Sequence, residues 1–104
     1  MYTHRAKIQL KPNSYIELSQ QIKDKIMPAL RLQKGFCDGV TSIDTFWMTA
    51  IEDTRWETRE DAEAYQRTGY SETLKTLSEV IDAEPVTSIF EASGDGFNQS
   101  GKTF

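Results

Sequence analysis

Along the first eleven residues, polar and apolar side chains change places at every step. Tyr2, His4, Ala6, Ile8 and Leu10 share one side, and Thr3, Arg5, Lys7, Gln9 and Lys11 the other, which predicts a strand with one face buried. Pro12-Asn13 breaks the run, and Ser14 with Glu17 has the Ser-x-x-Glu form of a helix capping box. Tyr15, Leu18, Ile22, Ile26, Ala29 and Leu30 then recur at spacings of three and four, the stripe of an amphipathic helix. Pro28 falls inside that stripe and predicts a kink, since the pattern continues beyond it. Gly35 is read as the helix's C′ residue.

Phe36 to Thr45 reads as a second strand built on Val40 and Ile43, and a tight connection near Asp44 to Phe46 leads into a third, Met48 to Trp56. The short connection predicts an antiparallel hairpin. Thr58 then caps a second helix, with Asp61 three residues on and further acids at Glu60 and Glu63, where the helix dipole favours negative charge. Its apolar stripe slips by one residue: Ala62, Tyr65 and Gly69 set one phase, and Tyr70, Leu74, Leu77 and Ile81 another. Such a slip, centred on Gly69, predicts a break or bulge. Pro85 closes this region, and Val86 to Glu91 forms the last strand.

The order β-α-β-β-α-β predicts an α+β, ferredoxin-like fold, a four-stranded antiparallel sheet with both helices on one face. The other face is expected to be apolar enough to need a cover, which a second copy of the chain would supply. Residues 1–92 form the domain. Residues 93–104, rich in Gly, Ser and Asn, read as a tail docked on the domain or on a partner subunit, with Phe97 and Phe104 as the side chains able to anchor it.

With 104 residues and 38% hydrophobic positions the chain is one small domain with a modest core. It contains no apolar run long enough to span a membrane and no signal-peptide pattern. The single cysteine, Cys37, forms no internal disulfide, suits a reducing cytosol, and reads as a small buried hydrophobe. The net charge of −4 divides into +3 over residues 1–50 and −7 over residues 51–104. The plain reading is solvated helix faces; side by side, the two helices would also attract. Acidity overall argues against a nucleic-acid partner, which needs a concentrated basic patch.

Five residues are candidates to line a pocket between sheet and helices: His4, Glu52, Trp56, Tyr65 and Tyr70. Trp56 either stacks on an aromatic ligand or fills the gap to the second helix. Tyr65 and Tyr70 flank the helix break, as inward phenols or as packing with a satisfied hydroxyl. Trp47 reads as structural or interfacial. Glu52, Asp53 and Arg55 place charge in a strand that should be covered. Either Arg55 offsets Asp53 or Glu52, or one carboxyl has a raised pKa and accepts a proton. His4 is a base or a satisfied buried histidine. No His/Cys/Asp spacing suits a metal, no Gly-rich loop opens a helix for phosphate, and no Ser-His-Asp set is recognisable.

The stretches LKPNSYIEL, KIMPALRLQKGF, RWETREDAEAYQ and GYSETLKTLSEVIDAEPVTSIFE, in this order and spacing, resemble the antibiotic biosynthesis monooxygenase-like domains of the dimeric α+β barrel superfamily. The resemblance covers nearly the whole chain. It implies a homodimer in which two sheets pack face to face into a barrel, each subunit keeping a pocket between sheet and helices. Some members oxidise aromatic polyketides with O₂ and no bound cofactor, and others degrade haem. Trp56 matches the tryptophan of the haem-degrading members, but no histidine lies between Thr58 and Ile81 to ligate haem, and His4 is the only histidine. The polyketide-oxidising members carry an Asn shortly before the Trp; here Glu52 stands four residues before Trp56. The Asn of that mechanism is thus missing from this chain. What the resemblance implies is a monooxygenase or related enzyme, without a bound cofactor, on a small aromatic or enolic substrate. The residues themselves leave a non-catalytic binding or scaffold domain equally open.

Overall fold

The computed structural model describes residues 1–91 and 102–103. Most of the 93–104 tail, with Phe97 and Phe104, lies outside the described residues. The strands are β1 (Tyr2–Gln9), β2 (Phe36–Asp44), β3 (Thr49–Trp56), β4 (Val86–Glu91) and a two-residue β5 (Lys102–Thr103). All pairings are antiparallel, in the order β4-β1-β3-β2-β5. The first four strands thus form the ferredoxin-like sheet, and β5 adds to its β2 edge through Val40 and Thr41.

Two helices cover one face. Helix α1 runs over residues 15–30, and its α-helical ends, Tyr15–Gln21 and Met27–Leu30, are joined by a π-helical turn, Ile22–Ile26. Helix α2 runs over residues 59–77 in the same way: Arg59–Ala64, a π-turn Tyr65–Gly69, then Tyr70–Leu77. In each, an amide reaches the carbonyl five residues back, Met27 to Ile22 and Tyr70 to Tyr65. The bulge anticipated at Gly69 is therefore a π-turn.

These turns decide which residues face the sheet. Five residues of regular α-helix rotate by about 500°, leaving the last about 140° away from the first. The extra residue in a π-turn closes most of that gap, so Tyr65 and Tyr70 both point inward and are buried. In α1 the same device buries Ile26 and Met27 together and turns Ala29, expected on the buried stripe, out to solvent. Thr73, off the expected stripe of α2, is likewise buried, and Leu74 only partly so. Hydroxyls take up carbonyls near the second π-turn, Thr68 donating to Ala64 at 2.8 Å and Ser71 to Thr68 at 3.0 Å.

Thr58 caps α2 as the sequence indicates, its hydroxyl accepting from the Asp61 amide at 3.1 Å. The capping box at α1 does not form. Asn13 takes a left-handed φ of 61°, and the Ser14 hydroxyl turns back to donate to the Lys11 carbonyl at 2.6 Å. Gly35 is not a helix C′ residue, because α1 ends at Leu30. With φ 80° at the entry to β2, it lets Asp61 approach so closely that an added Cβ would stand 2.7 Å from the Asp61 Cβ. Cys37 is exposed rather than buried. It sits at a register shift between Phe36 and Asp38, and a residue left unpaired in a bulge is free to turn outward.

The face of the sheet away from the helices is less apolar than anticipated. Arg5 clamps Asp53 with two bonds of 2.8 Å, and Arg55 clamps Asp38 at 2.9 and 3.1 Å. Arg55 therefore neutralises Asp38 and neither Asp53 nor Glu52. The cause is register: Asp38 lies directly across from Arg55, and Asp53 across from Arg5. Val40, Ile51, Val86 and Phe90 supply the apolar part of this face, with the Arg5 guanidinium 5.1 Å over the Phe90 ring.

Candidate functional site

On the helix side of the sheet, β3 presents Ala50, Glu52, Thr54 and Trp56, all buried, because alternate residues of a strand share a face. His4 pairs across from Thr54 and Ala6 across from Glu52, while α2 lays Tyr65 and Tyr70 over them. All five candidate residues are buried in this layer. Trp56 stacks on Tyr65 with centroids 5.0 Å apart and planes 25° from parallel. His4 lies edge-on to Tyr65 and tilted against Tyr70, each at 5.0 Å.

Most polar tips are satisfied. The Trp56 indole N–H donates to Thr54 Oγ1 at 2.9 Å, Tyr65 and Thr73 share a hydroxyl–hydroxyl bond of 2.9 Å, and His4 Nε2 bonds Gln66 Oε1. Three are not: Glu52 Oε2, Tyr70 OH and Thr41 Oγ1 are buried without a hydrogen-bond partner, and Thr41 sits directly across from Glu52. A buried oxygen without a partner costs free energy. Two such atoms on facing residues, with a third close enough to feel the Glu52 charge, form a polar spot inside an otherwise satisfied layer.

The pKa shifts follow from burial. Loss of water around Glu52, reinforced by the neighbouring Asp53 charge, pushes its carboxyl up to about 7. Tyr70 is pushed up to about 12 by burial and then by Glu52, and Tyr65 is raised further for the same two reasons. Burial lowers His4, partly offset by its bond to Gln66. At neutral pH the site thus holds neutral phenols, a neutral imidazole and a carboxyl poised between its two forms.

The five residues were expected to line a pocket between sheet and helices. Among the described residues a cleft of ≈ 140 Å³ opens between the helices, walled by Ile26, Leu30, Tyr65, Gly69 and Thr73, and Tyr65 is the one of the five on its wall. A depression of ≈ 490 Å³ lies at the β1–β3 end near Ile51 and Val86, away from the cluster. Thr41 and Thr73 were missed from the sequence. Thr73 carries a signal, eight residues beyond Tyr65 on the same helix; the position of Thr41 depends on strand register, which no local pattern shows. Trp47, with Phe46, is exposed at the β2–β3 turn, outside the cluster.

Among the described residues no group of three or more His, Cys, Asp or Glu could hold a metal ion, and no helix is long and apolar enough to cross a membrane. His4 is not placed to ligate haem, since its ring is covered by Tyr65 and Tyr70 and its Nε2 is engaged by Gln66.

No family model matches the chain, and no curated protein matches it. Solved structures do. A Bordetella bronchiseptica protein provisionally named an antibiotic biosynthesis monooxygenase superposes with a TM-score of 0.74 at 14% identity, covering 88% of this chain and 96% of its own. A monooxygenase from the gene ActVA-Orf6 of Streptomyces coelicolor, in complex with nanaomycin D, gives 0.73 at 14% identity over 94% and 92%. A conserved protein of Methanosarcina mazei gives 0.66 at 22% identity over 86% and 89%. Strand order, helix placement and these superpositions together give the chain the ferredoxin-like fold of antibiotic biosynthesis monooxygenase-like proteins.

Proposed function

We propose that the protein is a homodimeric, cytoplasmic oxygenase that needs no bound cofactor and oxidises a small phenolic or enolic substrate with O₂. The observation that carries this reading is Glu52, a buried carboxyl pushed up to about 7 whose Oε2 has no partner. A general base works best with a pKa near the working pH, where both of its forms are populated. Glu52 takes the hydroxyl proton of a phenol. The phenolate's electron pair forms a bond from its para carbon to O₂, and Glu52 returns its proton to the resulting peroxide. Loss of the para C–H proton and cleavage of the O–O bond release water and leave a quinone, so that phenol plus O₂ becomes quinone plus water. Trp56 and Tyr65 supply aromatic faces and Tyr70 a free hydroxyl for the substrate's oxygen.

Oxygen uptake measured with a panel of phenols, naphthols and cyclic 1,3-diketones tests the reading. Uptake matched by product is expected, and Glu52→Gln should lower the rate by about 100-fold or more. A second reading, a non-catalytic dimeric binding or scaffold domain, draws on the dense packing of the aromatic layer, where Trp56 is fully buried. It gains if the whole panel gives no uptake. Light scattering tests the assembly, and a monodisperse monomer at micromolar concentration would sink the dimer.

A further inference from the structure

We propose that the β2–β3 turn is a docking knob: Phe46 and Trp47 of one copy seat in the depression beside Ile51 and Val86 of a second copy, which returns the same contact. This rests on the homodimer reading above and names the side chains that make the contact. Both rings stand in solvent, Phe46 at 82% and Trp47 at 68% exposure, edge-on to one another at 4.9 Å. A single exposed apolar residue is ordinary, whereas a pair of rings held out on a fixed frame marks a contact surface. The frame is built from polar groups. Asp44 Oδ1 accepts from the Phe46 amide at 3.0 Å and the Trp47 amide at 3.1 Å. Gln9 Nε2 donates to the carbonyls of Trp47 and Met48, each at 3.2 Å, and the Leu10 amide donates to Met48 at 2.8 Å. A turn ordered in advance loses little freedom when it binds. Gln9 is exposed between buried Ile8 and Leu10, so it belongs to the outer face of the sheet and ties the turn from that side.

The depression of ≈ 490 Å³ has Lys7 and Glu84 at its rim and the exposed Val86 on its wall. Strand order matches it to the knob. The four-stranded core runs β4-β1-β3-β2, and two facing sheets pack with their strands nearly aligned. A two-fold axis between the sheets, parallel to the strands and over the β1–β3 seam, keeps like ends together. It lays β2 over β4 and β3 over β1. Phe46, on the β2 side of the turn, then comes over Val86 on β4. Trp47, on the β3 side, comes over Lys7 on β1, where an ammonium against an indole face adds a cation–π contact. An axis across the strands would carry the turn to the other end of the face, where Arg55 and Asp38 are clamped at 2.9 Å, which offers ions in place of an apolar wall. Symmetry makes the contact twice. Four such rings remove roughly 600 Å² from water and the receiving walls a similar area, which reaches the lower end of specific interfaces, about 1,200 Å².

The test follows full-length protein by light scattering through a dilution series. Trp47→Ala and Phe46→Ala change exposed positions and leave the core untouched. Each should raise the dimer dissociation constant by about 30-fold or more, the loss typical of a central aromatic contact. In the dimer Trp47 should be shielded from acrylamide quenching, which dilution restores. Crosslinking checks the seat with both rings kept. In a Cys37→Ser background, protein carrying Thr45→Cys is mixed with protein carrying Glu84→Cys and oxidised, and a disulfide-linked pair is expected. Thr45→Cys mixed with Glu63→Cys, on α2 behind the sheet, should give none. A dimer that neither Ala variant weakens, that leaves Trp47 open to acrylamide, or that crosslinks no better through Glu84→Cys than through Glu63→Cys overturns the knob and leaves the homodimer standing. A monodisperse monomer at micromolar concentration overturns both.

Discussion

Trp56 and Tyr65 stack at 5.0 Å, joining the last residue of β3 to the first residue of the π-turn in α2. The contact fixes where the helix changes its winding, because Trp56 is fully buried and its N–H is anchored on Thr54. Trp56→Ala should cost about 3–5 kcal/mol, the range for deleting a large buried ring. Trp56→Phe keeps a stacking partner but loses the bond to Thr54, and should cost clearly less. Urea denaturation followed by circular dichroism measures both; equal losses would mean that the ring kept by Phe contributes nothing and that the bond to Thr54 carries the whole effect.

Glu52 makes stability depend on pH. Its carboxyl titrates at about 7 in the folded protein against an ordinary 4.5. Between those values the unfolded chain has released the proton that the folded chain still holds, so stability falls as pH rises. The favourable contribution is complete below about 4.5 and gone above about 7, a change of about 3 kcal/mol. His4, whose pKa is lowered by burial, acts in the opposite sense and weakens the fold as pH drops below its ordinary value. Glu52→Gln should remove the decline between pH 5 and 8 and leave the acid-side loss in place. Denaturation midpoints across that range, wild type against variant, decide it; parallel curves would remove Glu52 as the titrating group.

How much of this was legible in the chain depends on the length scale of the signal. Strand alternation and helix spacing are local, and they placed every element of the four-stranded core. The slip at Gly69 could be read because Tyr65 and Tyr70, five apart, cannot share a face of a regular helix. The π-turn in α1 stayed hidden because Ala29 also fits an uninterrupted stripe and Pro28 already explained a kink. Alternation put Glu52 and Trp56 on one face and Arg55 on the other, which by itself separates Arg55 from Glu52. The outward turn of Cys37, the pairing of Arg55 with Asp38 and the orphan hydroxyl of Thr41 all depend on register between strands far apart in the chain. The cleft depends on the spacing of two helices, which no run of residues encodes.

Asp53 reports on whether the outer face of the sheet is covered. Its pair with Arg5 is bidentate, with side-chain exposures of 35% for Arg5 and 13% for Asp53. On a face open to water such a pair contributes about 0–1 kcal/mol, reduced further by salt. Sealed between two sheets, the same pair would lose its contact with water, and removing one partner would strand a buried guanidinium at a cost of about 3–5 kcal/mol. Homodimerisation through this face therefore predicts a large loss for Asp53→Asn, insensitive to salt, with a midpoint that rises with protein concentration. The reversed pair Arg5→Asp with Asp53→Arg should recover part of the loss. Thermal melts at two protein concentrations and two salt concentrations measure all of these. Losses below 1 kcal/mol that shrink in salt and ignore concentration would mean the outer face meets water, and the barrel assembly would be wrong.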